Sequence, residues 1–401
     1  MTITDPHPFP FSEPDELRID PRFEQIREKE PLCPVQLPHG EPAWLVTRYE
    51  DVKTVLGDPR FSRAEAVRRD EPRTRYHRGL PGNIMEFDPP EHTRLRRVVA
   101  KAFTARRVED LRVRAQEIAD RLVDEMIAQG PPADLVSAFA LPLPVTVICE
   151  LLGVPFEDRT RFRHWSDALL STTRFSPEEI ERCAGELSDY MAGLVAERRK
   201  HPQDDLLGVM VAARDEQDRL TEDELVAMGV GVLVAGHGTT ASQIPNFVHT
   251  LLEHPEELAR LRADLDLVPQ AVEELMRFVP LGSASTARYA VEDVELSGGV
   301  VHAGEPVVVS TAAANRDTTV FTCPERLDLT RKEAAHVGFG HGPHHCLGAQ
   351  LARMELQVAL STLLRRLPGL RLAGTEEDLV WKAGSGVRGL EKMLITWEAA
   401  A

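Results

Sequence analysis

Phe339-Gly340-His341-Gly342-Pro343-His344-His345-Cys346-Leu347-Gly348 decides how this chain is read. A cysteine stands here on a loop rich in glycine and proline. An amphipathic helical pattern follows, with Leu347, Leu351, Met354 and Val358 on one face, and it stops at Leu367-Pro368-Gly369. Free N–H groups and the helix dipole at such a terminus stabilise a thiolate. Gly342 and Gly348 permit a tight turn and the close approach of a flat ligand to backbone.

Three readings of Cys346 compete. A structural buried thiol leaves the glycines and histidines unexplained. A zinc site from His341, His344, His345 and Cys346 has suitable ligand types. Yet residues so close in sequence do not easily close a tetrahedron, and no C-x-x-C or second H-x-x-x-H stands elsewhere in the chain as a partner. A thiolate ligand to haem iron accounts for loop, glycines and dipole together.

The rest of the chain bounds the answer. Its 401 residues are 42% hydrophobic and 28% charged, ordinary for a globular protein and unlike a disordered one. At about 150 residues per domain, the length suits two to three domains or one large unit. No linker separates autonomous halves, so one unit spanning residues 1–401 is expected. The net charge of −17 argues against nucleic acid as main partner. No stretch reads as a membrane span, and the polar, Pro-rich start lacks the order of a signal peptide. Five cysteines without C-x-x-C fit a reducing, cytoplasmic setting.

The middle of the chain reads as helical. Ser176-Pro177-Glu178-Glu179 and Thr221-Glu222-Asp223-Glu224 are capping boxes. The second opens a run from Glu222 to about His254, roughly 50 Å if helical throughout. Gly236, Gly238 and Pro245 lie inside it and predict a local distortion, either a packing kink or a widened turn for a ligand. Strands are expected at 43–47, as a hairpin within 291–310, and late at 370–372 and 393–397.

The pattern F-x-x-G-x-x-x-C-x-G, met by Phe339, Gly342, Cys346 and Gly348, resembles the haem-binding loop of the cytochrome P-450 superfamily. Order and spacing from Trp44 to Trp397 resemble its soluble bacterial members. The resemblance implies a mainly α fold, a helical triangular prism with a smaller β-rich region. It implies haem b (iron protoporphyrin IX) on Cys346, with O2 as co-substrate. Glu274-Leu275-Met276-Arg277 resembles the family's E-x-x-R motif. With Arg326 of Pro324-Glu325-Arg326-Leu327 it would form a structural ion network, although the usual Phe is Leu327. His92 and Arg96, one helical turn apart, resemble propionate ligands. Arg288 and His344 match two more. Four such groups would hold two carboxylates by charge-assisted hydrogen bonds.

Ala235-Gly236-His237-Gly238-Thr239-Thr240 resembles the family's oxygen-activating turn. Thr239 matches the alcohol, and Gly238 stands where the family has an acid. The plain alternative for Thr239 is a hydroxyl bonded back to the Ala235 carbonyl. By the same resemblance Met85, Val234, Ala235, Ser283, Ala284 and Val387 line the substrate pocket, and 160–200 roofs it. The arginines Arg63, Arg68, Arg69, Arg73, Arg75 and Arg78 are expected on a solvated surface rather than at a carboxylate. Ferredoxin and ferredoxin reductase would supply electrons. The basic stretch Arg94, Arg96, Arg97, Lys101, Arg106 and Arg107 would dock the acidic donor. The expectation is a cytoplasmic monomer that hydroxylates a small secondary metabolite. Oxidative C–C or C–N coupling or dehydrogenation, prompted by the missing acid, is the second reading. A non-catalytic haem sensor is the third.

Overall fold

The computed structural model describes residues 3–12, 16–215, 220–282, 284–333 and 335–398. Helices carry most of it. Both capping boxes form. The Ser176 hydroxyl accepts from the Glu179 N–H at 3.3 Å, while the Ser176 N–H donates to the Glu179 carboxylate at 3.2 Å. Thr221 and Glu224 repeat the exchange at 3.1 and 2.8 Å. These caps open the helices Pro177–Lys200 and Glu222–Glu253.

Glu222–Glu253 is the core helix, and it runs for 32 residues without a break. The distortion expected from its two glycines and Pro245 does not interrupt it. Packing explains this. Ile244, Phe247, Val248 and Leu251 are all buried around Pro245. At about 1.5–3 kcal/mol for each fully buried large apolar side chain, they outweigh the roughly 3 kcal/mol helix cost of a proline. Gly236 serves a neighbour. A Cβ there would stand 2.6 Å from Ile148 Cδ1 on helix Pro142–Leu152. The core helix is also long and apolar enough to cross a membrane, so the expectation that no stretch reads as a span is corrected. Its composition follows from burial within the protein, where Gln243, Asn246, His249 and Thr250 are enclosed as well.

The cysteine loop is followed by helix Ala349–Arg366, which packs on the core helix and on Ala105–Gln129. One large apolar cluster reaches from Leu95 through the core helix to Trp397.

The β-rich part flanks this helical mass. Its main sheet orders His7–Pro8, Leu32–Gln36, Ala43–Val46, Pro306–Val309, Arg288–Ala290 and Phe61–Ser62. The expected strand at 43–47 is thus present and lies inside the sheet, where Leu45 and Val46 are fully buried. The hairpin within 291–310 is Val294–Leu296 against Gly299–Val301, after which the chain returns to the main sheet at Pro306. The late strands Arg371–Leu372 and Leu394–Thr396 pair with each other.

Candidate active site

Cys346 sits just before helix Ala349–Arg366. Its N–H donates to the Phe339 carbonyl at 2.9 Å, which closes the loop. Gly340 and Gly342 hold φ of 75° and 69°. A Cβ on Gly342 would lie 2.4 Å from the Leu56 carbonyl oxygen, so that glycine admits backbone rather than ligand. Gly348 differs, because nothing lies within 4 Å of its Cβ position. That open side is where a flat group has room. The Arg353 guanidinium caps the Phe339 ring at 4.5 Å and ion-pairs with Glu273 at 2.6 Å.

The thiol is accessible, yet burial raises its pKa. Both hold if Cys346 faces a confined hollow rather than bulk water. The Gly348 N–H, Arg96 and Arg353 act in the opposite direction and favour thiolate. On the core helix, Ala235 is likewise exposed between the half-buried Val234 and Gly236. Ala235 and Cys346 thus mark a hollow between the two helices.

Around it gather cations with few acceptors. His92 and Arg96 lie on helix Glu91–Ala100, and Arg288 starts a strand of the main sheet. The His92 and His344 rings are 4.2 Å apart. His92 Nε2 and both ring nitrogens of His344 are buried without a hydrogen-bond partner. Burial first, then His92, Arg288, Arg63 and Arg96, pull the His344 pKa down to about 3. Buried Arg288 donates one long bond, 3.4 Å to the Thr286 carbonyl, and burial lowers its pKa to about 9. Arg96 donates to the His345 carbonyl at 2.7 Å. Buried donors are rarely left open in folded proteins. Two carboxylates would fill these positions, and so the residues fit a haem whose iron meets Cys346. The zinc alternative lacks convergence, since His345 turns towards Phe339, 6.4 Å between ring centres, and His344 towards His92.

The oxygen-side turn is ordinary helix. Thr239 donates its hydroxyl to the Ala235 carbonyl at 2.8 Å, the plain alternative, and its lone pairs stay available as acceptors. Buried His237 bonds Leu233 through Nδ1 at 2.9 Å. Gly238 faces Leu170, whose Cδ1 is 3.5 Å from its Cβ position. Below it runs a polar row. Lys382 Nζ donates to Ser242 Oγ at 2.9 Å, and Ser242 donates to the Gly238 carbonyl at 2.8 Å. Nothing in the local sequence signals Lys382, which arrives from the last β region.

Of the expected pocket residues, Val387 is buried, Val234 is half-buried and Met85 is exposed. Ala284 packs against the sheet cluster. Ser283 lies outside the described residues, as does the side chain of Lys101.

Three expectations need correction. Arg326 is not a side-chain member of the ion network. Its guanidinium is 70% exposed and reaches Asp328 at 3.4 Å. Arg331 takes the place, 3.1 Å from Glu274, while Arg326 offers its carbonyl to Arg277 and Arg331. The arginines from Arg63 onward form a solvated face only in part: Arg68 and Arg78 are exposed, Arg69, Arg73 and Arg75 are half-buried, and Arg63 departs from the expectation. Arg63 is buried and pairs with Glu71 at 2.8 Å. The basic patch is smaller than its sequence, for Arg94 is held by Glu224 at 2.5 Å and Arg96 turns inward. Arg97, Arg106 and Arg107 remain exposed.

Comparison with known proteins follows this geometry. The cytochrome P-450 family model matches residues 18–370. The mycinamicin IV hydroxylase/epoxidase of Micromonospora griseorubida is 52% identical over 398 residues, 99% of this chain and 100% of that one. The nocardicin C N-oxygenase of Nocardia uniformis subsp. tsuyamanensis is 52% identical over 399 residues, with the same coverage. A solved cytochrome P-450 with biaryl coupling reactivity superposes with a TM-score of 0.94, at 42% identity over 98% of this chain and 100% of that chain. The cysteine loop, the open cations beside it and these whole-length likenesses agree: the chain belongs to the cytochrome P-450 family and is a haem-thiolate monooxygenase of the bacterial type.

Proposed function

We propose that the chain, acting as one domain over residues 1–401, holds haem b and hydroxylates a small secondary metabolite. The observation that supports this best is the set of unfilled donors on His92, His344 and Arg288 beside Cys346. When bound, the haem iron supplies the redox centre at which O2 is reduced. His92, Arg96, Arg288 and His344 hold its carboxylates. Phe339 and Gly348 shape the loop around the Cys346 thiolate. Thr239 offers its oxygen as acceptor next to the hollow. Leu170 covers Gly238 and limits water there. Lys382 Nζ keeps a proton one hydroxyl away from the Gly238 carbonyl, in the region where the family's acid is missing.

The glycine at 238 also supports a second reading, oxidative coupling without oxygen insertion. Product mass separates the two: one added oxygen against a loss of hydrogens. The haem-thiolate reading is tested by the carbon monoxide difference spectrum of the reduced protein. A thiolate-type Soret band is expected, and its persistence in Cys346→Ala would refute it. Electrons are proposed to come from a ferredoxin and its reductase, in the cytoplasm, to a monomer. Arg97 and Arg106 suit an acidic donor, so charge reversal at Arg97 and added salt should both slow reduction.

A further inference from the structure

We infer that Arg75 binds a carboxylate of the substrate inside the distal pocket, so that this enzyme takes an organic acid. The inference rests on the haem-thiolate reading and adds the substrate class.

Arg73, Tyr76, His77 and Arg78 line an outer groove of about 540 Å³ against Glu181 and Asp189. Arg75, between them in sequence, turns the other way. Its Cδ and Cγ lie 3.3 and 3.5 Å from the Cβ position of Gly386. Gly386 precedes Val387 and donates its N–H to the Leu170 carbonyl at 2.8 Å. Leu170 in turn faces Gly238. The Arg75 stem therefore packs on the wall that leads, through Leu170, to the oxygen-side turn.

It stands there without an acceptor. Among the described residues, no hydrogen bond or ion pair holds the Arg75 side chain. Its nearest carboxylate, on Glu71, is taken by Arg63 at 2.8 Å, with Arg78 at 4.0 Å. Desolvation depresses the Arg75 cation, and the neighbouring Arg63 adds to that. Other buried arginines each meet a firm acceptor. Arg27 reaches the Ala313 carbonyl, Arg198 pairs with Asp205, and Arg277 with Glu274. Arg288 is the other exception, and haem carboxylates account for it. One planar cation in a hollow of small and apolar residues matches one carboxylate, bound through two parallel N–H donors.

The test uses the holoenzyme and azoles that ligate iron directly, so the natural substrate need not be known. Imidazol-1-yl alkanoic acids of graded length are titrated beside their primary amides, and the Soret shift is read. At one length the acid should bind wild type about tenfold tighter than its amide, as a charge-assisted bidentate contact would give. Arg75→Met should remove that preference, leave amide affinity within about twofold and retain haem, while Arg75→Lys restores part of it. Gly386→Ala, which crowds the arginine stem, should weaken the preference too. Equal binding of acid and amide at every length in wild type overturns the proposal. So does a preference that survives Arg75→Met, or loss of haem in that variant with its fold intact. Failure of the amides to shift the spectrum at all would instead sink the haem-thiolate reading, and this one with it.

Discussion

Two buried cationic clusters in this molecule look alike in composition and differ in how they are satisfied. Around Glu274, every donor of Arg277 is used: Nε and Nη2 meet the carboxylate at 2.8 Å, and three carbonyls take the rest. Arg331 and the Asp328 N–H complete Glu274. Around Cys346, His92, His344 and Arg288 leave donors open. A closed network holds the fold. An open one waits for a molecule. The distinction lies in missing acceptors, which no list of residue types reveals.

The comparison breaks most visibly at Glu274. Glu274→Gln leaves Arg277 and Arg331 short of a buried counter-charge and should cost about 3–5 kcal/mol. Chemical denaturation would measure it. A loss near zero would mean that the network is not closed by charge.

Glu355 sharpens the contrast. It is buried on the helix after Cys346 with no cation beside it, and burial, opposed only by the neighbouring Thr240 hydroxyl, raises its pKa to about 8. It therefore stays protonated. Unfolded, it ionises near its ordinary value of 4.5. Its contribution is full below that pH and is lost as pH rises towards 8, by about 1.4 kcal/mol per unit, or roughly 3 kcal/mol at pH 7. Glu355→Gln should flatten the slope of stability against pH between 5 and 8. An unchanged slope would show that the carboxyl is not held neutral.

Arg288→Met has opposite signs in the two states. Without haem it should stabilise by about 1–2 kcal/mol, since a buried cation with a poor set of acceptors is gone. With haem, loss of the group to a competing acceptor protein should speed up. Destabilisation of the haem-free form would place Arg288 with the closed cluster. The smallest effect belongs to Arg326→Ala, within about 0.5 kcal/mol in thermal melts, as for a surface side chain.

What the sequence made legible was local. Capping boxes, the cysteine loop and the long apolar run depend on neighbours within a few residues, and each formed. What it hid depended on which way a side chain turns. Arg326 and Arg331 are five apart, and either could reach Glu274 by spacing. Only the packed chain sends the carbonyl of one and the guanidinium of the other inward. Arg63 and Arg75 sat in an arginine-rich stretch that reads as solvated. Glu71 folds back to bury the first, and Gly386, more than 300 residues on, makes room for the second. Lys382 reached Ser242 in the same way.

Leu170 carries a last consequence. It ends the helix Arg159–Leu169, accepts from Gly386 and shields Gly238, while the N–H groups of Thr172 and Arg174 hold the Gly384 carbonyl. The end of this helix, the segment before Val387 and the oxygen-side turn thus share one joint. Any substitution that shortens Leu170 bares Gly238 while leaving the backbone bond to Gly386 in place, so cover and anchorage at this joint are separable.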